Sequence, residues 1–195
     1  MTALAFNDPV FQSQAVFRRI MRAMAAPGTI VDCGEGLAPP APLAPAAAAA
    51  LLTLIDYETP LWVAPSFGRE VAEYLVFHTG APFAASQGAA AFALVDLNAD
   101  GLRLDDFALG SAEYPDRSTT IVAQGAGLGE GVAMTLSGPG VRGQAEFRAE
   151  RLPRDFLGQW RANRARFPLG VDLILAAGAE LACLPRSTAI SGETR

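Results

Sequence analysis

The first regular pattern of hydrophobic and polar positions lies in residues 9–24. Apolar side chains recur there at the i, i+3, i+4 and i+7 spacing of one helix face, at Phe17, Ile20, Met21 and Met24. This spacing predicts an amphipathic helix. The Asp8-Pro9 pair is a suitable cap and first turn, and Pro27-Gly28 is a suitable end.

The remaining chain contains further helix and strand patterns, separated by segments rich in glycine and proline. Helices are predicted at residues 46–55, 68–77 and 153–167, and strands at 29–33, 60–64, 92–95, 119–123, 132–136, 143–147, 171–175 and 181–184. Helices and strands alternate at first, and strands then follow one another directly. This order predicts an α/β fold with a mixed sheet and flanking helices. We expect a single domain over residues 1–195, because no repeat or linker interrupts the chain.

The composition excludes several classes of protein and site. Of the 195 residues, 51% are hydrophobic and 18% are charged, which is typical of a folded domain. The formal net charge of −5 argues against nucleic-acid binding. The sequence contains no lysine, which excludes a Schiff base with pyridoxal phosphate and a Walker-type phosphate lysine. With one histidine and two distant cysteines, we expect no metal site and no cofactor.

The sequence also bears on where the protein works. Its first residues lack the basic start, apolar core and cleavage site of a secretory signal. The longest apolar stretch, residues 46–55, is too short and too rich in alanine to span a bilayer. We therefore expect a cytoplasmic protein without membrane contact. Cys33 and Cys183 have apolar surroundings, so we expect buried, reduced thiols without redox chemistry.

Two glycine-rich segments invite a nucleotide-binding interpretation. In residues 125–131, Glu130 stands where G-x-G-x-x-G needs its third glycine, and a strand pattern follows instead of a helix. We expect a hairpin connection there. Residues 137–140 are expected to form a tight turn between two strands, although their backbone amides could also hold an anion.

The single histidine, His78, ends a helical pattern and precedes Thr79-Gly80. An imidazole at this place either caps the last carbonyl groups of the helix or contacts a ligand and transfers protons. The sequence contains no G-x-S-x-G motif that would supply a serine nucleophile for it. No residue can therefore be assigned a catalytic role from the sequence.

Arginines are the other candidates for ligand contact. Arg18 and Arg22 are one helical turn apart, on the side opposite the apolar stripe. They could bind a phosphate or a partner carboxylate, or form a solvated basic face. Arg186 follows the last predicted strand, and α/β sheets bind ligands at the carboxyl ends of their strands.

Two carboxylates are expected to orient these donors by hydrogen bonding, Asp116 and Asp172. If Arg186 instead forms a buried pair with Asp172, its role is structural. The candidate ligand contacts are therefore Arg18, His78, Thr79 and Arg186.

Seven segments of the sequence resemble, in the same order and at compatible spacing, those of the PhnH family, the H subunits of the bacterial carbon–phosphorus lyase system. They are FRRIMRAMAAPG (17–28), LLTLIDYETPLWV (51–63), YLVFHTGAP (74–82), YPDRSTTIV (114–122), LSGPGV (136–141), FPLGVDLIL (167–175) and LPRST (184–188). The resemblance covers nearly the whole chain. It is weakest at residues 34–45 and 125–131, where length variation is easiest.

The resemblance implies a fold like the large domain of pyridoxal-phosphate-dependent transferases, without the cofactor. It implies a cytoplasmic complex with the G, I and J subunits, in which the J subunit carries the iron–sulfur chemistry of carbon–phosphorus cleavage. With the G, I and L proteins, the family takes part in replacing the adenine of ATP by a phosphonate. The product is an alkylphosphonate ribose triphosphate.

Two roles for the chain remain open at this point. It is either a non-catalytic scaffold subunit or a subunit with its own nucleotide or phosphonate pocket. The lack of a recognisable nucleophile–base pair favours the scaffold. The high apolar fraction also predicts self-association or stable pairing with another subunit, and we expect a homodimer of the isolated chain.

Overall fold

The computed structural model describes residues 5–99, 102–125 and 127–192, which form a mixed α/β domain. Its α-helices are α1 (Pro9–Ala25), α2 (Pro45–Leu54), α3 (Gly68–Thr79) and α4 (Phe156–Ala165). Its strands are β1 (Val31–Asp32), β2 (Leu61–Val63), β3 (Phe92–Asp96), β4 (Thr120–Gln124), β5 (Leu128–Ser137), β6 (Ala145–Ala149), β7 (Asp172–Ala177), β8 (Glu180–Leu184) and β9 (Ala189–Ser191). The expected α/β fold with a mixed sheet and flanking helices is confirmed.

The larger sheet has six strands in the order β1-β8-β7-β4-β3-β2. Strands β2, β3, β4 and β7 run parallel, and β8 is antiparallel to both of its neighbours. The register aligns the first residues of the parallel strands, Leu61, Phe92, Thr120 and Asp172. We call the side of the sheet where these strands begin the amino edge, and the side where they end the carboxyl edge.

The smaller sheet has three antiparallel strands in the order β6-β5-β9. Together with α4 it covers one face of the larger sheet, in a core that includes Ile121, Leu173 and Trp160. Helices α1, α2 and α3 cover the other face, in a core that includes Val122 and Ile174. The alternation of adjacent strand residues between the two cores follows from the two-residue period of a β-strand.

Helix α2 lies between the other helices in the layer formed by α1, α2 and α3. All six residues from 46 to 51 have no solvent-exposed surface. Helix α1 packs on one flank of α2, and α3 also packs against it. A helix that is apolar all round requires such cover. Among the described residues, no helix has both the length and the apolar character needed to cross a membrane.

The structure corrects the expected core face of α1 in part, because Ile20 is buried and Met24 packs against the core as expected, but Phe17 and Met21 do not. The residues of this helix that are buried are Val16, Ile20 and Ala23, whereas Phe17 is 46% exposed and Met21 is 50% exposed. Helix α1 packs against the alanine-rich α2. Ala23 belongs to the same buried core as the alanines of α2, whereas Phe17 and Met21 lie on the solvent side of α1.

The expected hairpin at residues 125–131 is wrong. Strands β4 and β5, which flank this segment, belong to different sheets and do not pair. The segment connects the last residue of β4 in the large sheet to β5 in the small sheet. Within it, Ala126 lies outside the described residues. The turn expected at residues 137–140 is confirmed, because it joins the antiparallel strands β5 and β6, with Val141 N donating to the Gly138 carbonyl.

Candidate functional site at the amino edge

The most highly connected polar side chain at the amino edge is Arg186. Its guanidinium lies 2.5 Å from the carboxylate of Asp172, and the side chains are 13% and 21% exposed. The backbone N–H of Arg186 also donates to Asp172 Oδ1, at 2.7 Å. Asp172 is the first residue of β7, so this carboxylate joins the beginning of β7 to the segment that follows β8.

The other donors of Arg186 reach two further segments. Nη1 donates to the carbonyl oxygens of Pro115, at 2.8 Å, and Pro168, at 3.4 Å. Nη2 donates to Ser118 Oγ. With Nε on Asp172, these contacts use all five N–H donors of the guanidinium. The Arg186 side chain therefore links, by hydrogen bonds, the segments that precede β4 and β7.

The direction of β8 places Arg186 differently from the sequence-based expectation. Because β8 is antiparallel to β7, with Leu184 opposite Leu173, its carboxyl end lies at the amino edge. The argument that Arg186 occupies the ligand-binding side of an α/β sheet is therefore wrong. That side is the carboxyl edge of the parallel strands.

The carboxyl edge is occupied by the chain itself. Gln124, the last residue of β4, accepts from Ala44 N at 2.6 Å through Oε1 and donates to the Pro42 carbonyl at 2.7 Å through Nε2. Beside it, Ala46 N donates to the carbonyl of Gly178, which follows β7. Pro45 has no N–H, so Ala46 N is the first N–H group of α2, and it is bonded internally instead of being free for a ligand.

His78 and Thr79 form the end of α3. The imidazole is exposed and contacts the rings of Tyr74 and Phe77 edge-on, with centroids 4.7 and 5.0 Å away. Thr79 Oγ1 donates to the Leu75 carbonyl at 2.7 Å and accepts from Ala81 N. The Thr79 hydroxyl is therefore engaged in ending the helix, which the left-handed Gly80 completes.

Neither Arg18 nor Asp116 is hydrogen-bonded to the Arg186–Asp172 pair among the described residues. Arg18 is exposed near the middle of α1, a helix that packs on α2 and β8. Asp116 is an exposed residue of a short 3-10 helix, and it is the carbonyl of the preceding Pro115 that accepts from Arg186. Among the described residues, no hydrogen bond or ion pair joins Arg186 to Arg18, His78 or Thr79.

The two cysteines are buried, as expected. Cys33 is 2% exposed and Cys183 has no exposed surface. Burial raises the pKa of the Cys33 thiol to about 11, and burial also raises the pKa of Cys183. Both thiols are therefore protonated at neutral pH, so neither is a ready nucleophile.

Sequence reasoning missed several polar contacts of this region. Ser118 contacts Arg186, and Trp160 in α4 donates its indole N–H to the Thr188 carbonyl at 2.9 Å. At the carboxyl edge, sequence reasoning also missed Gln124, which directly follows the predicted strand at 119–123. A signal for Ser118 existed in the sequence, because it lies in the segment that carries Asp116 and leads directly into β4.

Segments that carry the resemblance to a known family meet at the amino edge. The Arg186 side chain joins residues 114–122, 167–175 and 184–188. Nearby, a Cβ on Gly28 would contact Leu136, and one on Gly140 would overlap the Ala25 carbonyl oxygen. Residues 17–28 and 136–141 therefore also pack together.

A family model described as bacterial phosphonate metabolism protein (PhnH) matches residues 4–191. The chain belongs to the PhnH family. A Rhizobium meliloti (strain 1021) protein named alpha-D-ribose 1-methylphosphonate 5-triphosphate synthase subunit PhnH is 43% identical over 190 residues, which cover 97% of this chain and 95% of that protein. A putative C-P lyase subunit protein, HtxG, of Stutzerimonas stutzeri is 34% identical over 186 residues, covering 92% and 86%. This PhnH sequence is thus similar to its relatives over nearly their whole length.

Proposed function

We propose that this chain is a non-catalytic subunit of an alpha-D-ribose 1-methylphosphonate 5-triphosphate synthase. In the proposed reaction, the bond between ribose C1 of ATP and adenine breaks, and a bond between C1 and a phosphonate oxygen forms. Adenine leaves, and the ribose triphosphate moiety is transferred to an alkylphosphonate. The chain would act with the G, I and L proteins.

The observation that carries this proposal is the 43% identity to the synthase subunit of Rhizobium meliloti, which extends over 97% of the chain. An alignment of that extent includes every segment that meets around Arg186. The same surfaces and buried contacts are then expected in both proteins. The second relative, named as a putative C-P lyase subunit, supports the same pathway.

A scaffold role is supported by how the polar groups are used. Arg186 directs all five donors to protein acceptors, and Gln124 bonds the residues that lead into α2 at the carboxyl edge. The thiols of Cys33 and Cys183 are buried. Within the described residues, no group of three or more His, Cys, Asp or Glu side chains is arranged to hold a metal ion.

We further propose that the fold is related to the large domain of pyridoxal-phosphate-dependent transferases, without the cofactor. A mixed six-stranded sheet with one antiparallel strand and helices on both faces supports this. We place the chain in the cytoplasm, as one domain over residues 1–195, with the G, I and J subunits as its partners. The exposed Phe11 is consistent with contacts to those subunits, and the exposed Phe77 with a homodimer of the isolated chain.

Reconstitution tests the proposal. Purified G, I and L proteins are incubated with ATP and methylphosphonate, with and without this chain, and adenine release and the phosphonate product are measured by chromatography and phosphorus NMR. We expect product only when the chain is present, and none from the chain alone. Full product formation without the chain, or adenine release by the isolated chain, would contradict the proposal.

Nucleotide titration separates the scaffold from a subunit with its own pocket. We expect calorimetry of the isolated chain with ATP to detect no binding below millimolar concentration. Submillimolar ATP binding that is lost in the Arg18→Ala variant, or in the His78→Ala and Thr79→Ala variants, would instead assign a ligand pocket to this subunit. An Arg186→Ala variant belongs in the series only if it remains folded, because the guanidinium holds three segments together.

A further inference from the structure

Helix α1 exposes large apolar side chains that the fold does not use. Val10 is 73% exposed, Phe11 71%, Phe17 46% and Met21 50%. Single exposed apolar residues are common on protein surfaces, but several on one helix are characteristic of an interaction surface. The helix meanwhile packs on the domain through its other side, with Val16, Ile20 and Ala23.

The spacing of these residues orders them into two rows. Val10, Phe17 and Met21 follow i, i+7 and i+11, which places them within about 40° of one another around the helix axis. Phe11, Arg18 and Arg22 follow the same spacing and form a parallel row beside the first. All six side chains belong to exposed residues. The outer surface of α1 is therefore an apolar row next to a largely basic one, which we call the α1 face.

The charge of the α1 face is opposite to that of the chain. The sequence of α1 contains three arginines and no acidic residue, whereas the chain as a whole has a net charge of −5. One of the three, Arg19, donates to the Asp32 carbonyl at 2.8 Å on the β1 side of the helix. The other two lie within the α1 face and supply its positive charge.

We propose that the α1 face binds an amphipathic helix of another subunit, with an apolar stripe against Val10, Phe17 and Met21 and a row of Asp or Glu against Arg18 and Arg22. This inference rests on the proposed function, because it requires a multi-subunit enzyme. Complementary charge selects the acidic partner, and the apolar row supplies the buried contact. The helix repeat sets the spacing expected in that partner, which is also i, i+7 and i+11.

A second copy of this chain is a poorer occupant of the α1 face. Helix α1 is centred on Phe17. Antiparallel pairing of two copies about a two-fold axis through that point would bring each Arg18 close to its own counterpart. Like charges at the centre of an interface oppose association, and α1 offers no carboxylate to offset them.

The proposal is tested in the complete complex of the G, H, I and J subunits. Three variants alter the α1 face, namely Phe17→Ser, Met21→Ser and the double change Arg18→Glu with Arg22→Glu. Matched controls on other surfaces are Val132→Ser on β5 and Arg161→Glu on α4, both exposed in the structure. Circular dichroism confirms that each variant is folded, and the affinity for the remaining subunits is measured by biolayer interferometry at two salt concentrations.

We expect each α1 variant to weaken binding at least tenfold and the controls to leave it unchanged. We also expect added salt to weaken binding by the wild type but to strengthen binding by the double arginine variant, because its glutamates repel the acidic partner. If the wild-type chain binds the other subunits and the α1 variants bind equally well, the α1 face is not the docking surface, and the proposed function stands. If the wild-type chain binds none of them, the proposed function itself fails, and the inference fails with it.

A photocrosslinking readout with both arginines intact identifies the occupant. The substitution Met21→p-benzoylphenylalanine places the reactive group within the apolar row. We expect the crosslinked peptide to come from an acidic helical segment of the G, I or J subunit. A crosslink to a second copy of this chain, or to a segment without acidic residues, would overturn the proposal.

Discussion

The carboxylate of Asp172 accepts both the side-chain and the backbone donors of Arg186, and this pair connects the beginning of β7 to the end of β8. The two strands are neighbours in the sheet and antiparallel. Because the guanidinium also reaches Pro115 and Ser118, the pair fixes the segment that leads into β4. One charged side chain therefore joins three of the segments at the amino edge.

Removal of this guanidinium should destabilise the fold. We expect Arg186→Ala to lower the free energy of unfolding by about 3 kcal/mol, since it leaves the Asp172 carboxylate without its charged partner in a mostly buried site. Arg161→Ala, a change of an exposed arginine, should cost less than about 0.5 kcal/mol. Urea unfolding of both variants measures the difference.

A double-mutant cycle with Asp172→Asn identifies the source of that loss. We expect the two changes to be non-additive, with a coupling free energy of about 2 kcal/mol. If Arg186→Ala instead retained wild-type stability and abolished anion binding, Arg186 would be a ligand contact and not a structural one.

Gly140 should tolerate no side chain. Its φ is +81°, and a Cβ there would overlap the carbonyl oxygen of Ala25 and approach Pro27 Cδ to 2.9 Å. Gly143 is a matched control in the same connection, because its φ is +71° and no atom lies within 4 Å of its Cβ position. We expect Gly143→Ala to cost about 1 kcal/mol through backbone strain, and Gly140→Ala about 2 kcal/mol more through the clash.

Thermal unfolding compares the two glycine variants directly. The additional loss at Gly140 corresponds to a melting temperature lower by about 4–8 °C than that of Gly143→Ala. Equal melting temperatures would show that residues 136–141 do not pack on the end of α1 as described.

Burial of Cys33 should make stability fall at alkaline pH. Its pKa is about 11 in the folded protein and 9.0 as an ordinary thiol. Since the folded-state pKa is the higher one, the stabilisation is complete below pH 9 and is lost as the pH rises from 9 through 11. We expect the wild type to lose about 2 kcal/mol more than Cys33→Ala over that interval.

Urea unfolding at pH 8, 9, 10 and 11 measures this difference, and thiol labelling provides a second test. We expect neither Cys33 nor Cys183 to react with a disulfide reagent at pH 8 in the folded state, and both to react in denaturant. Rapid labelling of the folded protein would show that the thiols are accessible to solvent, in conflict with their burial.

His78 should not transfer protons in the synthase reaction. A general acid or base contributes about 10²- to 10⁴-fold to a rate, whereas we expect His78→Gln to change turnover of the reconstituted enzyme by less than about twofold. The imidazole contacts the rings of Tyr74 and Phe77, so its removal should act only on the local surface. A loss of a hundredfold together with a changed pH profile would make His78 a catalytic residue.

Sequence patterns predicted the four α-helices. The 3.6-residue periodicity identified α1, and an alanine-rich stretch that follows Pro45 identified α2, which has no polar face. Strand β9 was not predicted, since Ile190 is the one bulky apolar residue among its three positions and its pairing with β5 comes from distant sequence. The exposure of Phe17 was missed for a similar reason. The side of α1 that is buried depends on the neighbouring helix, which helical spacing does not reveal.

The candidate site was harder to predict than the fold. The sequence suggested a pair between Arg186 and Asp172, and the structure contains that pair. The direction of β8 was unknown, and it decides which edge Arg186 occupies. Gln124 carried no sequence signal, because its bond to Ala44, just before α2, joins residues 80 positions apart.

The buried alanines of α2 act as a spacer of fixed thickness. With residues 46 to 51 fully enclosed, one methyl group at each alanine position sets the distance between this helix and its neighbours. A larger side chain would force those layers apart, and glycine would loosen the helix itself. The methyl groups of these alanines thus set the thickness of the helical layer, and with it the position of α1 on the outer surface.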